Sequence, residues 1–347
     1  MSPGGSAPPG LRQSASGRVN FLDFVGSEAG AGRAEGCSVM SKPRYHPRSV
    51  RLWKLGSKCV DDQFLLAPTP EVRALVMLFL AKMQELYDVK IVCVVFMGNH
   101  FHILVWLRED RLPDIMRDFK GGLAKAINAV LGRRGAFWME RYDDDAVLDD
   151  AAAEAAIHYF HANPVRAHVV ERADDYVGVS SWKAYAEDLD ALTHTFFDEP
   201  SWRRAGAPES LRGLYTRTVT VRITRPPSWE GISRSERRAK VRAMRANMRD
   251  EERQAAAERA RNGTTVGAPE DVAKREPRSR PLRPKPKRVK RKRASGSDEQ
   301  VRRFHEAYRQ MMPAYRAASL RFRETGSLPP FPEGTYPPRL MYAFVES

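Results

Sequence analysis

The chain has 347 residues and a net charge of +15, with 58 Lys and Arg against 43 Asp and Glu and a pI near 9.9. That excess argues for a polyanionic partner, of which nucleic acid is the commonest for a basic protein. No apolar run reaches the length of a membrane span, and Cys37, Cys59 and Cys93 form no CxxC pair, which argues against a disulfide framework and a zinc ribbon and fits a reducing, cytoplasmic setting.

Residues 1–40 are rich in Gly, Ala and Ser, lack the pattern of a secretory signal, and are expected to form a disordered leader. Met40 reads as an alternative start to Met1. A first strand is expected over Arg44–Leu55, interrupted at Pro47. Thr69-Pro70-Glu71 is a helix start, and Val72, Leu75, Val76, Phe79, Leu80, Met83 and Leu86 form one face of a helix running to Tyr87.

Ile91–Met97 and Phe101–Leu107 are two apolar runs rich in β-branched and aromatic residues, separated by Gly98-Asn99. This predicts an antiparallel hairpin whose turn uses the positive φ that Gly and Asn tolerate. Side chains alternate along a strand, so His100 and His102 share one face while Phe101, Ile103 and Val105 take the other. Two imidazoles in one row can bind one divalent cation, although such a pair also occurs in ordinary strand packing.

A second helix is expected over Leu112–Leu131, with Gly121-Gly122 marking close packing or a bend. A fourth strand falls within Phe137–Leu148, interrupted at Asp143-Asp144-Asp145, where a solvated loop is expected. A third helix spans Asp149–Asn163 and stops at Pro164. The order strand, helix, strand, strand, helix, strand, helix predicts an α+β, ferredoxin-like βαββαβ unit with an added C-terminal helix.

Beyond Trp182 the pattern is mixed to Thr224. Ser233–Asn262 is helical in composition but polar all round, so it is either solvated or held against a polyanion. Lys274–Arg293 has Lys or Arg at 12 of its 20 positions, among prolines at 277, 281, 284 and 286, and reads as a disordered basic tether. Glu299–Phe322 resumes helical spacing before a proline-rich end. The divisions are therefore 1–40, 41–190, 191–262, 263–296 and 297–347.

Tyr159 and Asn163 are four residues apart on the third helix and share one face, joined by Arg166 if the turn continues. By itself this tyrosine reads as core filler. Taken in order, however, Asn99-His100-Phe101-His102, then Tyr159-Phe160-His161-Ala162-Asn163-Pro164-Val165-Arg166-Ala167, then Asp175-Tyr176 and Ser180-Ser181 resemble the single-tyrosine HUH transposases, where U is a bulky hydrophobic residue. The nearest branch is the one associated with repetitive extragenic palindromes, whose pattern runs PNHxH, YIxxNPVRA, DY…SS. The resemblance covers about Tyr45–Tyr185, with Gly98 in place of the proline.

The resemblance implies a catalytic domain over 41–190, His100, His102 and Asn163 as ligands of Mg²⁺ or Mn²⁺, and Tyr159 as the nucleophile. It also implies a metal-dependent single-strand endonuclease and strand transferase working at hairpin-associated sites through a 5′-phosphotyrosine, on single-stranded or hairpin DNA, as a monomer or homodimer. Backbone contacts are expected from Lys120, Lys125, Arg133, Arg134 and Arg166. His158 and His161 face away from Tyr159, His46 is a distant candidate, and Tyr142 and Tyr176 are rival nucleophiles. Two further readings remain: an HUH replication initiator or relaxase-like nickase, and a non-catalytic nucleic-acid-binding protein.

Overall fold

The computed structural model describes residues 43–107, 111–281 and 294–338. The leader, the choice between Met1 and Met40, and the most basic part of the tether, residues 282–293, lie outside the described residues. The architecture is mixed α+β, built on a five-stranded sheet of order β2-β3-β1-β4-β7. Its strands are β1 Leu52–Lys58, β2 Lys90–Phe96, β3 His100–Trp106, β4 Asp143–Val147 and the short β7 Ala294–Ser295. The first four pair antiparallel and β7 joins β4 in parallel. A separate antiparallel ribbon, β5 Ala191–Phe197 with β6 Thr216–Arg222, occupies the stretch where the pattern is mixed.

Helices α1 Pro70–Tyr87 and α2 Leu112–Val130 cover one face of the large sheet, where Phe119 of α2 meets Phe101 of β3 edge-on at 5.7 Å. Thr69 caps α1 by accepting from the Val72 amide, as the Thr-Pro-Glu start predicts. The α1–α2 contact explains one of the paired glycines. A Cβ at Gly122 would lie 2.3 Å from Phe79 Cε1, whereas one at Gly121 meets nothing within 4 Å. Gly121→Ala is therefore expected to stabilise the protein by about 0.5–1 kcal/mol through helix propensity. Gly122→Ala is expected to destabilise it by about 1–3 kcal/mol through overpacking. Parallel urea unfolding checks both, and equal shifts would contradict the close helix contact.

Helix α3 Asp150–Arg166 lies on the opposite face of the sheet. It does not stop at Pro164. The proline sits in the last turn, where its missing N–H removes a single bond, while Ala167 N–H still reaches the Asn163 carbonyl at 2.9 Å. The short α4 Trp182–Ala186 and α5 Glu199–Arg204 follow, then the long α6 Arg234–Asn262 and α7 Asp298–Thr325.

Other expectations shift. The first strand begins only at Leu52, after Pro47, and runs on through Gly56 to Lys58. Neither Gly98 nor Asn99 has a positive φ. Gly98 is instead a close approach, since a Cβ there would lie 3.0 Å from the Phe64 ring. Asp143, Asp144 and Asp145 do not interrupt β4; they begin it. Cations offset the last two, Lys54 at 3.2 Å from Asp145 and Arg44 at 2.9 Å from Asp144, and the His46 ring bonds Asp144 at 2.6 Å. The described part of the tether, residues 263–281, is ordered against the fold, with the Phe64 amide donating to the Ser279 carbonyl at 3.1 Å.

Candidate active site on the histidine face of the sheet

Register decides which groups meet. His102 pairs with Gly56 on one side and Val95 on the other, and Gly56 pairs in turn with Asp143. Cross-strand partners point the same way, so His100, His102, Lys54, Lys58, Asp143 and Asp145 share the face that α3 packs against. The two imidazole centroids are 5.2 Å apart. His102 stacks on Phe160 at 5.1 Å and meets the Tyr159 ring edge-on at 5.7 Å. Tyr159 is 40 % exposed and Asn163, one turn further on, is buried. The structure thus brings His100, His102 and Tyr159 together, with Asn163 on the same helical face.

Asn99 holds His100 in place. Its side-chain nitrogen donates to the Asp62 carbonyl at 3.2 Å, so its oxygen is left to accept from His100 Nδ1 at 2.7 Å. This assigns the proton to Nδ1. His102 lies against β1, and a Cβ at Gly56 would come within 3.1 Å of its Nδ1. Burial, followed by the charges of His100, Lys54 and Lys58, holds the His102 imidazole well below the usual histidine range and therefore neutral. Two imidazoles and a carboxamide oxygen are a donor set that suits a divalent cation, and these residues fit one. Among the described residues no group of three His, Cys, Asp or Glu forms a metal cluster.

Of the five basic residues expected on nucleic acid, four belong to α2 and the turn after it, on the side of the sheet away from the histidines. Lys120 is buried, donating to the Glu140 carbonyl at 2.9 Å with its ammonium 5.2 Å from the Trp138 ring. Arg133 bonds Asn128 and the Ala136 carbonyl. Lys125 and Arg134 are exposed there. Strand alternation separates them, because α2 covers the residues between the histidines. Only Arg166 reaches the site, its guanidinium 5.7 Å from the Tyr159 ring centre. Sequence reasoning missed Lys54 and Lys58, whose alternation with Gly56 was the available signal.

Arg166 is held from α6. Glu251 accepts from both Arg166 and His158, and these partners, led by the Arg166 hydrogen bond, draw its carboxyl down to about 2. A depressed carboxylate stabilises the fold above its unfolded value near 4.5 and loses that contribution as pH falls toward 2. The stability difference between the wild type and Glu251→Gln is therefore expected to be full above pH 4.5 and to vanish toward pH 2. Unfolding curves at stepped pH check this, and a pH-independent difference would contradict it.

The remaining candidates are structural. His46 is buried against Trp53 and Asp144, on the other face. Tyr176 is buried with its hydroxyl on the Phe96 carbonyl, and burial raises its pKa. Tyr142 lies under the Arg44 guanidinium at 3.4 Å. His161 is buried with Cys93 Sγ at 3.2 Å and Ser181 Oγ at 2.9 Å. Burial holds His161 down at about 3 and pushes the Cys93 thiol up to about 12, so this triangle is uncharged. Val179 and Ser181 exchange backbone bonds with Phe96 and Val94, so the Asp175–Ser181 stretch closes the open edge of β2.

No helix among the described residues is long and apolar enough to cross a membrane. No family model matches the chain, and no curated protein matches it. Among solved structures it is similar to a REP-associated tyrosine transposase bound to a REP hairpin, at 18 % identity over 43 % of this chain and 86 % of that one, with a TM-score of 0.37. It is also similar to a candidate transposase from Deinococcus radiodurans R1, at 17 % identity over 32 % of this chain and 88 % of that one, with a TM-score of 0.26.

Proposed function

We propose that the chain is a single-tyrosine HUH transposase, a metal-dependent nuclease and strand transferase acting on single-stranded or hairpin DNA. The observation that carries this reading is the half-exposed Tyr159 phenol facing the His102 imidazole on the sheet face that also holds His100. The ordered motifs support it. So does the antiparallel strand order β2-β3-β1-β4, which suits a ferredoxin-like βαββαβ unit.

His100, His102 and Asn163 would hold Mg²⁺ or Mn²⁺, which would supply Lewis-acid charge against that growing on the phosphoryl oxygens. Asn99 and Gly56 keep the two imidazoles in register for that role. Tyr159 Oη gives its proton to solvent and forms a bond to the phosphorus, while the bond to the 3′ oxygen breaks. The departing oxygen takes the electron pair, then a proton from water. The products are a 5′-phosphotyrosine and a free 3′-hydroxyl, and the retained phosphoester energy lets a later 3′-hydroxyl reverse the step without ATP. Arg166, its guanidinium 5.7 Å from the phenol ring centre, would place positive charge near Tyr159 as its oxygen becomes an anion.

Incubation with a labelled single-stranded hairpin oligonucleotide and Mn²⁺ tests the reading. A covalent protein–DNA band whose proteolytic peptide carries the nucleotide on Tyr159 is expected. DNA retardation with no adduct across varied hairpins and metals would leave a binding module instead.

A further inference from the structure

Helix α6 is polar along most of its length, yet a sparse stripe of Val241, Met248 and Ala255 is buried. At 100° per residue, one flank of that stripe carries Lys240, Glu251 and Glu258, which reach Glu154, Arg166 and His168 on or just after α3. The other flank carries Arg234, Arg238, Arg242, Arg245, Arg249 and Arg253, one per helical turn over about 28 Å. Packing against α3 does not use this flank.

Two adjoining grooves run along it and share Arg245, one of about 340 Å³ and one of about 500 Å³. Arg234, Arg238, Arg242 and Arg249 are exposed and make no ion pair among the described residues. In the larger groove Arg259 is 7 % exposed, with its Nη1 buried and lacking a hydrogen-bond partner. A buried guanidinium nitrogen without an acceptor is costly unless an anion supplies one. Most of the carboxylates lining the grooves are engaged by the framework. Asp174 accepts from Trp182 Nε1 at 2.8 Å, Glu252 from the Ala173 amide at 3.0 Å, and Asp188 lies 3.0 Å from Arg237. Glu171 and Glu187 also line the grooves.

We infer that this arginine flank of α6 is a second nucleic-acid site, a track for the phosphodiester backbone on the opposite side of the helix from Tyr159. It takes the polyanion from the function proposed above but not the chemistry. A row of guanidiniums at one per turn reads phosphates without reading bases, so the track adds salt-sensitive affinity and directs the strand that leaves the tyrosine site across α6.

The test compares the full wild-type chain with the triple variant Arg238→Ala, Arg242→Ala, Arg249→Ala, measuring affinity for a labelled hairpin oligonucleotide with long unpaired flanks across a NaCl series. Three lost single-strand phosphate contacts are expected to flatten the slope of log K against log salt by about 2. Circular dichroism should be unchanged, because all three side chains are exposed. A charge-matched control, Arg302→Ala, Arg309→Ala, Arg316→Ala on α7, is expected to keep the wild-type slope. Equal flattening in the control, an unchanged slope in the α6 variant, or no DNA binding by the wild type would each overturn the inference. Covalent adduct is scored in the same samples. A flattened slope without adduct upholds the track while removing the nuclease, and adduct with an unchanged slope does the reverse.

Discussion

Tyr159→Phe is expected to abolish the covalent protein–DNA adduct while leaving DNA affinity within about twofold of wild type. The substitution removes one oxygen and nothing else that the fold uses. The ring keeps its edge contact with His102 and its place beside Phe160, and the side chain is already 40 % exposed. Neither rival tyrosine is placed to substitute. Tyr176 is buried with its hydroxyl on the Phe96 carbonyl, and Tyr142 is stacked under Arg44. Tyr176→Phe and Tyr142→Phe should both keep the adduct. Denaturing gels with end-labelled oligonucleotide check all three, and an adduct that survives in Tyr159→Phe would remove the phenol from the mechanism.

Phe101→Ala and His102→Ala are adjacent substitutions with opposite expected results. Phe101 is fully buried, stacked on Phe96 at 5.2 Å and edge-on to Phe119 and Trp138. Truncating it empties the middle of the core and should cost about 3–5 kcal/mol. His102 is on the other side of the same strand, half-buried and neutral, against the Gly56 backbone and Phe160. Its loss should leave the fold near wild-type stability and eliminate adduct formation in Mn²⁺. Urea unfolding read beside the adduct assay separates the two. A His102→Ala protein that is as unstable as Phe101→Ala would mark the imidazole as core, and one that still forms adduct would exclude it from the site.

Local pattern was enough for the elements whose signals are local. The Thr-Pro-Glu start, the apolar face of α1 and the hairpin around Gly98-Asn99 each follow from a few neighbouring residues, and all three form. Strand alternation also placed Phe101 and His102 on different faces before any partner was known. Where the signal depended on partners across the sheet, the pattern misled. Asp143-Asp144-Asp145 looks like a loop because like charges repel, but Lys54, Arg44 and His46 lie beside Asp145 and Asp144 and make the strand affordable. Pro164 looks like a stop, but in the final turn it removes one bond and the helix carries Arg166 around to Tyr159.

The sequence by itself determined that this is a basic α+β chain with two histidines on one strand face and a tyrosine and an asparagine on one helix face. Those facts follow from periods of 2 and 3.6 residues, which any short segment displays. Only the tertiary structure decided that the two faces meet, that α2 carries Lys120, Lys125, Arg133 and Arg134 to the other side, and that α6 turns an arginine flank away from α3. Such outcomes depend on which helix docks on which side of the sheet, and that is settled by long-range packing and register between residues far apart in the chain.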